Sequence, residues 1–521
     1  MRKNIYNILG VVCLVCVIVS LLCACETNIP SETTPSTDVT IDVSTDTETD
    51  IPTEEVTDPD VVLDEKPTNA AELTFYNNPD NSKFFTPNDI TAYEIVQDNE
   101  MGSVLKLSIV ESESIANPYI KINYKAYMDY VGLDSVLWND CSYAVMLLKL
   151  EGVTNNNLEI AFYNKSAGKT KTVRATGTYK ISNNGWQYVL LPLVKEDGEG
   201  ILTDLRIDFV DRPASADETV YVKSISFVKD MSTVIQIMGT DLVNPSTATI
   251  VIPGLTKEYR FVHITDAHMT AFSDIDINSW EASRYYYNVN RRYMFTADGI
   301  YAEDRFPLCI DYANEIEADG IFLTGDIIDF PSEKNISLLY ENVKRFKGKS
   351  IYCFGNHDWN YSDDYMTDNS AVTNRPLFND ITNGDTYFSY IEYDGFIVAS
   401  IDNSSNTVSQ ETVDKFLALY EKNKPIIVIL HVPFHVDTLE ADVCKIWGSN
   451  LAMGPGGVGS DCEAVLQLYN AVCVAEDTPV VAVFAGHVHI NHEDVFPNGV
   501  PQYITATGYT GDCRKILIKG N

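Results

Sequence analysis

Basic residues are scarce in this chain: 521 residues include 37 Lys and Arg against 74 Asp and Glu, a formal net charge of −37. That balance leaves no basic face for a nucleic-acid backbone or an anionic lipid surface, so no specific nucleic-acid binding is expected. A local cationic pocket stays open, because bound divalent metals would themselves supply one. Paired cysteines are also missing. Beyond Cys13, Cys16, Cys23 and Cys25, the other seven (Cys141, Cys309, Cys353, Cys444, Cys462, Cys473 and Cys513) are odd in number and contain no CxxC spacing. That excludes a disulfide framework. Cys353, inside an apolar run, reads as an inert buried thiol, and a Cys444–Cys462 bridge is left undecided.

From Glu26 to about Ala70 aromatic side chains are absent and Lys66 is the single basic residue; Thr, Ser, Asp, Glu and Pro fill the stretch. It cannot bury enough apolar surface to offset its conformational entropy, so residues 25–71 read as a disordered, charge-extended tether. Ahead of it, Arg2 and Lys3 precede the apolar run Ile8 to Ala24, the pattern of a secretory signal over residues 1–24. Its end, Leu22-Cys23-Ala24-Cys25, resembles the bacterial lipobox, which implies cleavage before Cys25 and lipidation of its sulfur. An uncleaved transmembrane anchor is the alternative, since about 20 apolar residues span a bilayer. The expectation is an exported, cell-surface lipoprotein, anchored through Cys25 to the outer face of the bacterial cytoplasmic membrane.

Residues 72–230 alternate with period two. Leu105, Leu107 and Ile109 are separated by Lys106 and Ser108; Leu158, Ile160 and Phe162 alternate likewise, as do Leu205, Ile207 and Phe209. One apolar face per strand predicts half-buried antiparallel strands, and turn signals such as Asn184-Gly185 between them predict a jelly-roll-like β-sandwich. The run WQYVLLPL, LRIDFV, VYVKSISFV is similar to the last strands of galactose-binding-like carbohydrate-binding modules, which implies a glycan as partner. Trp138 and Trp186 could stack on sugar rings, yet aromatic residues in a sandwich are more often core. Residues 231–253 read as a linker.

Residues 254–521 alternate apolar strand-like runs with helix-like segments, the pattern of a layered α/β fold. Five polar clusters each follow an apolar run: Asp266-x-His268 after RFVHIT, Gly325 to Asp329 (GDIID) after GIFLT, Gly355 to Asp358 (GNHD) after SIYCF, His431 after PIIVIL, and Gly486 to His489 (GHVH) after VVAVFA. If the runs are buried parallel strands, their polar tails share one sheet edge, where open α/β sheets bind ligands.

In that order the five clusters resemble the calcineurin-like metallophosphoesterases over about 270 residues. The resemblance implies two sheets flanked by helices, four layers in all, and two divalent metal ions, manganese, iron or zinc. It assigns Asp266, His268, Asp326 and His489 to one metal, with Asp326 bridging, and Asn356, His431 and His487 to the other. Carboxylates and neutral imidazoles suit such ions, and a pair about 3.5–4 Å apart generates hydroxide at neutral pH. His357 is implied as proton donor to the leaving group, with Asp358 holding its ring, and Asp329 as a residue bonded to a ligand. Asp329 stands where purple acid phosphatases carry a Tyr ligand, a departure from that subclass. His263, within a strand, reads as a core residue, and His435 and His492 as rim or surface.

Two insertions flank the motifs. Ser273 to Tyr301 carries Arg284, Tyr285, Tyr286, Tyr287, Arg291 and Arg292, and Val436 to Ser460 carries Trp447 and the run Gly454-Pro455-Gly456-Gly457. Arg291, Arg292 and Trp447 are the candidate substrate contacts. The expected activity is hydrolysis of an extracellular phosphomonoester or phosphodiester by metal-activated hydroxide. The rival is a non-catalytic glycan-binding or adhesion lipoprotein with a structural metal site.

Overall fold

The computed structural model describes residues 66–110, 117–137, 140–152, 157–166, 169–178, 185–193, 200–208, 218–239, 242–382 and 384–521, with backbone alone for 157–178. The export signal, Cys25, nearly all of the tether and Trp138 lie outside the described residues.

The period-two strands pair into two antiparallel sheets. One has the order Thr91–Asp98, Gly102–Ile109, Thr219–Val228, Tyr143–Glu151, Gln187–Pro192, with Glu72–Thr74 also paired to Thr219–Val228. The other has the order Phe85–Pro87, Tyr119–Ile122, Leu202–Asp208, Asn157–Ser166, Lys169–Thr178. Leu105, Leu107, Leu205 and Ile207 are fully buried in the core between them. Each such side chain contributes roughly 1.5–3 kcal/mol of burial.

Strand Tyr143–Glu151 begins as a continuous apolar run, and its two faces give the reason. Ala144, Met146 and Leu148 fill the sandwich core, whereas Tyr143 and Val145 point outward into a second cluster with Leu190, Val228, Val234 and Ile300. Ile300 belongs to the Ser273–Tyr301 insertion, so this cluster packs the sandwich onto the following domain. The turn before Ile300 comes so close that a Cβ on Gly299, whose φ is +76°, would lie 1.8 Å from the Leu190 carbonyl oxygen. Beside it the Tyr143 hydroxyl donates a hydrogen bond to Asp304.

Within 231–253, expected as a linker, the described residues form a helix and a strand. Helix Met231–Met238 is capped by Asp230, which accepts from the Thr233 amide at 3.0 Å, and its Val234 enters the interdomain cluster. Strand Asn244–Val251 runs parallel to Asp512–Lys519 at the edge of a sheet, burying Ala248 and Ile250. The alternation in TATIV was the available sign; the partner strand is the last in the chain.

The domain that follows holds two stacked sheets. The first has the order Asn244–Val251, Asp512–Lys519, Tyr259–Ile264, Gly320–Thr324, Lys349–Cys353, and the second Phe388–Tyr393, Phe396–Ile401, Ile426–Ile429, Val480–Ala485, Pro501–Ile504, His492–Val495. Phe261, Phe322, Phe396, Ile427 and Phe484 fill the space between them. Helices Ala302–Glu315 and Glu333–Arg345 cover the first sheet, and helices Gln410–Leu417, Asp437–Trp447 and Glu463–Tyr469 the second, giving four layers. Among the described residues, no helix is long and apolar enough to cross a membrane.

Burial and the neighbouring Glu303 raise the Asp304 carboxyl from 3.8 to about 6. A raised carboxyl favours folding when protonated, so its contribution is fully present below about pH 4 and is lost as pH rises through about 6; two units correspond to about 3 kcal/mol. Asp304→Asn is therefore expected to raise the melting temperature more at pH 7.5 than at pH 4.5, measured by calorimetry. An equal shift at both values would show that the carboxyl does not titrate in the fold.

Candidate metal centre

The five polar clusters converge as the strand pattern predicts. Tyr259–Ile264, Gly320–Thr324 and Lys349–Cys353 are mutually parallel neighbours in one sheet, and Ile426–Ile429 and Val480–Ala485 are parallel neighbours in the other. Their carboxyl ends open onto a common edge. Leaving each strand, the chain turns sharply. Asp266, His268, Asp326, His487 and His489 all adopt positive φ, between 45° and 71°. Non-glycine residues hold that conformation only where surrounding contacts enforce it, at a cost of about 1–3 kcal/mol each.

Three glycines permit the crowding. A Cβ on Gly325 would lie 2.2 Å from the Gly355 amide nitrogen, one on Gly355 2.2 Å from an Asp326 carboxylate oxygen, and one on Gly486 2.0 Å from the Thr265 hydroxyl. The glycines of GDIID, GNHD and GHVH thus let three loops touch at backbone distance.

Two groups of donor atoms result. In the first, His268 Nε2 is 3.2 Å from His489 Nε2, 3.9 Å from Asp266 Oδ1 and 3.8 Å from Asp326 Oδ2, and His489 Nε2 is 3.3 Å from Asp266 Oδ1. In the second, His431 Nε2 is 3.3 Å from Asp326 Oδ2, 3.2 Å from Asn356 Oδ1 and 3.1 Å from His487 Nδ1. Asp326 Oδ2 belongs to both. Separations of this size are those of ligands sharing one ion, so the seven residues fit a binuclear metal site with a bridging carboxylate.

The electrostatics fit the same occupant. Burial alone would raise the Asp266 carboxyl, but His489 and His431 hold it down, to about 2. Asp326, equally buried, is held well below the carboxylate range by His431, His357 and His268. Burial lowers His268 to about 4, and burial with the His431 charge lowers His487 to about 3, so both imidazoles are neutral. His431 goes the other way: against burial, the Asp326 and Asp266 carboxylates raise it to about 9. Ionised carboxylates and neutral imidazoles are the states that ligate divalent cations, and a cation would displace the His431 proton.

The surroundings orient the donors. His268 Nδ1 bonds Asp329 Oδ1 at 3.0 Å, and His431 Nδ1 donates to the Thr324 carbonyl at 2.8 Å, which turns both Nε2 atoms inward. Phe295 stacks flat on His268 with centroids 4.1 Å apart. Arg291 forks onto Asp329, with Nε at 2.7 Å and Nη2 at 2.5 Å. His357 Nδ1 lies 3.3 Å from both the Asp329 carboxylate and its carbonyl, and 3.5 Å from Arg291 Nη2. Phe295, Tyr365, whose hydroxyl accepts from the Asn356 amide at 2.8 Å, and Tyr509 were not anticipated; no spacing linked them to the motifs.

Two expectations are corrected. Asp358 does not hold the His357 ring: its carboxylate accepts from the backbone amides of Asp326 (3.0 Å), Ile328 (3.1 Å) and Gly355 (2.7 Å), tying two motif loops together. Burial and the nearby Asp326 charge raise it to about 7. Asp329 makes the contact instead. Arg292 turns away from the centre to Glu303, 2.7 Å distant, and over the Tyr301 ring, because adjacent residues on a helix face different directions. Trp447 does flank the centre, its ring 5.4 Å from that of His489. His263 is a core residue, bonded to Thr324 and Thr505 hydroxyls at 2.6 and 2.8 Å. His435 pairs with Glu440 at 2.7 Å and His492 with Asp442 at 3.0 Å, apart from the centre.

A two-sheet fold with such a donor set at its strand ends carries a candidate binuclear metal centre. Residues 259–491 match the family model described as calcineurin-like phosphoesterase. This part of the chain is accordingly a calcineurin-like phosphoesterase domain, a phosphoester hydrolase by family.

Among solved structures the chain is similar to a dimetal phosphatase from Danio rerio (14% identity, 49% of this chain and 91% of that one, TM-score 0.30). It is also similar to a purple acid phosphatase from yellow lupin (10%, 82% and 86%, TM-score 0.30). A xylan-binding domain from Paenibacillus barcinonensis is a third (13%, 30% and 93%, TM-score 0.21). With scores this low, the family match and the geometry carry the assignment. No curated protein matches the chain.

Asp358→Ala would orphan three buried amides, each costing about 1 kcal/mol or more. A loss of at least about 3 kcal/mol in a denaturant titration of the metal-free protein is expected. Unchanged stability would show that the Asp358 carboxylate does not hold the two loops together.

Proposed function

We propose that the chain is an exported, lipid-anchored phosphoesterase that hydrolyses extracellular phosphomonoesters or phosphodiesters, with manganese, iron or zinc as its two ions. The observation that carries the reading is Asp326 Oδ2, within 3.8 Å of His268 Nε2 and 3.3 Å of His431 Nε2, one carboxylate oxygen shared by two donor groups. When bound, a metal pair supplies hydroxide at neutral pH and neutralises charge on the phosphoryl oxygens. Asp266, His268, Asp326 and His489 would hold one ion, and Asp326, Asn356, His431 and His487 the other.

The remaining residues handle the proton. His357 is partly exposed, and its Nδ1 is engaged at Asp329, which leaves Nε2 as the nitrogen that exchanges a proton with a substrate oxygen. Asp329 holds that ring and His268 together, and Arg291 holds Asp329. Arg291 thereby acts as a positioning residue at the edge of the site. Its charge, 13% exposed at the side chain, adds to the field seen by an arriving phosphate. The lipobox at Cys25 and the acidic tether support placing this chemistry outside the cell, held off the membrane.

Turnover of aryl phosphate monoesters and diesters by the manganese-loaded soluble form tests the assignment. His357→Ala is expected to lower kcat about 100-fold or more, and Asp326→Ala to remove activity. Unchanged turnover in Asp326→Ala or His357→Ala would sink the role given to that residue, and no turnover by the wild type would leave the metal site structural and the chain a non-catalytic lipoprotein.

A further inference from the structure

We infer that this site takes phosphoesters whose departing group is an uncharged ring, a reading that rests on the phosphoesterase function proposed above. Three large aromatic side chains stand exposed beside the centre: Tyr287 at 43%, Tyr365 at 45% and Trp447 at 44%. Large aromatic side chains left exposed on two sides of a site offer apolar faces to a bound ring. Tyr365 is bonded to the ligand residue Asn356, and its ring lies 6.2 Å from that of His357. Tyr287 lies 5.7 Å from the Arg291 guanidinium, on the same side. Trp447 borders the opposite side: it donates Nε1 to the Val488 carbonyl at 3.0 Å and meets His489 edge-on. Hydrogen bonds therefore fix Tyr365 and Trp447, and a ring settling against them loses little further side-chain freedom.

The charges nearby select against other substrates. Each arginine of helix Ala282–Met294 is already paired: Arg284 with Asp363 at 2.8 Å, Arg291 with Asp329 at 2.5 Å and Arg292 with Glu303 at 2.7 Å. A second phosphate on the substrate would meet no unpaired guanidinium of that helix, and a net charge of −37 repels polyanions at a distance. The apolar face of a sugar, a benzyl ring and a nucleobase share the chemistry that remains: an uncharged ring held against aromatic faces.

The test compares kcat/KM of the manganese-loaded protein on esters of matched primary alcohols: benzyl phosphate, glucose 6-phosphate and uridine 5′-monophosphate against glycerol 3-phosphate and phosphocholine, with the methyl diesters of the same alcohols alongside and pyrophosphate, an anhydride, as the polyanionic comparison. At least one ring ester is expected to exceed the glycerol ester by about tenfold, and that ratio to fall about threefold or more in Trp447→Ala or Tyr287→Ala. Calorimetry should likewise show benzylphosphonate binding more tightly than ethylphosphonate. Whichever ring leads identifies the source. Ring and glycerol esters turned over alike, or a preference for phosphocholine or pyrophosphate, would overturn this inference and leave the phosphoesterase standing. Turnover of none of them would remove both.

Discussion

Everything at the metal centre depends on concentrating buried carboxylates where the backbone itself is strained. Asp266 and Asp326 are both fully or almost fully buried, both in the left-handed region, and both ionised. Neither strain nor buried charge is sustainable alone. Amide donors offset part of the charge: His357 N gives Asp326 a bond at 2.7 Å, and His487 N gives Asp266 one at 2.9 Å. The rest calls for cations. Bound metal would therefore complete a site whose loops the chain has already brought together through three glycines and the Asp358 carboxylate.

A second dependence runs outward from Asp329. Its carboxylate meets His268, His357 and Arg291 at once, so one buried residue links a histidine of the candidate metal centre, the proposed proton donor and the inserted helix. That helix is docked by polar forks and a ring stack, with Arg284, Arg291 and Phe295 on one face, and leaves Tyr286 73% exposed on the other. Directly after it come Gly299 and Ile300, which pack on the sandwich. The β-sandwich is thus joined to the phosphoesterase domain through the same insertion that borders the candidate metal centre.

Much of this was readable from residue order. The apolar runs marked the strands whose ends carry the polar clusters, the resemblance of their order to the calcineurin-like metallophosphoesterases assigned the ligands, and the alternation at Leu105, Leu107 and Leu205, Ile207 marked the sandwich core. What stayed hidden depends on direction in space. Asp358 follows His357 immediately, yet its carboxylate turns into the loop backbone, and sequence adjacency does not say where a side chain points. Arg291 and Arg292 look equivalent in sequence, but helix geometry sends one to Asp329 and the other to Glu303. Strand Asn244–Val251 finds its partner some 270 residues away, at Asp512–Lys519, a pairing local pattern does not encode.

The central claim is that two cations share the Asp326 carboxylate. Counting metal in protein purified with manganese and passed through a desalting column tests it most directly. Two ions per chain in the wild type, with neither retained in Asp326→Ala, is the predicted result. A single ion per chain, or two ions undiminished by the loss of Asp326, would contradict the account.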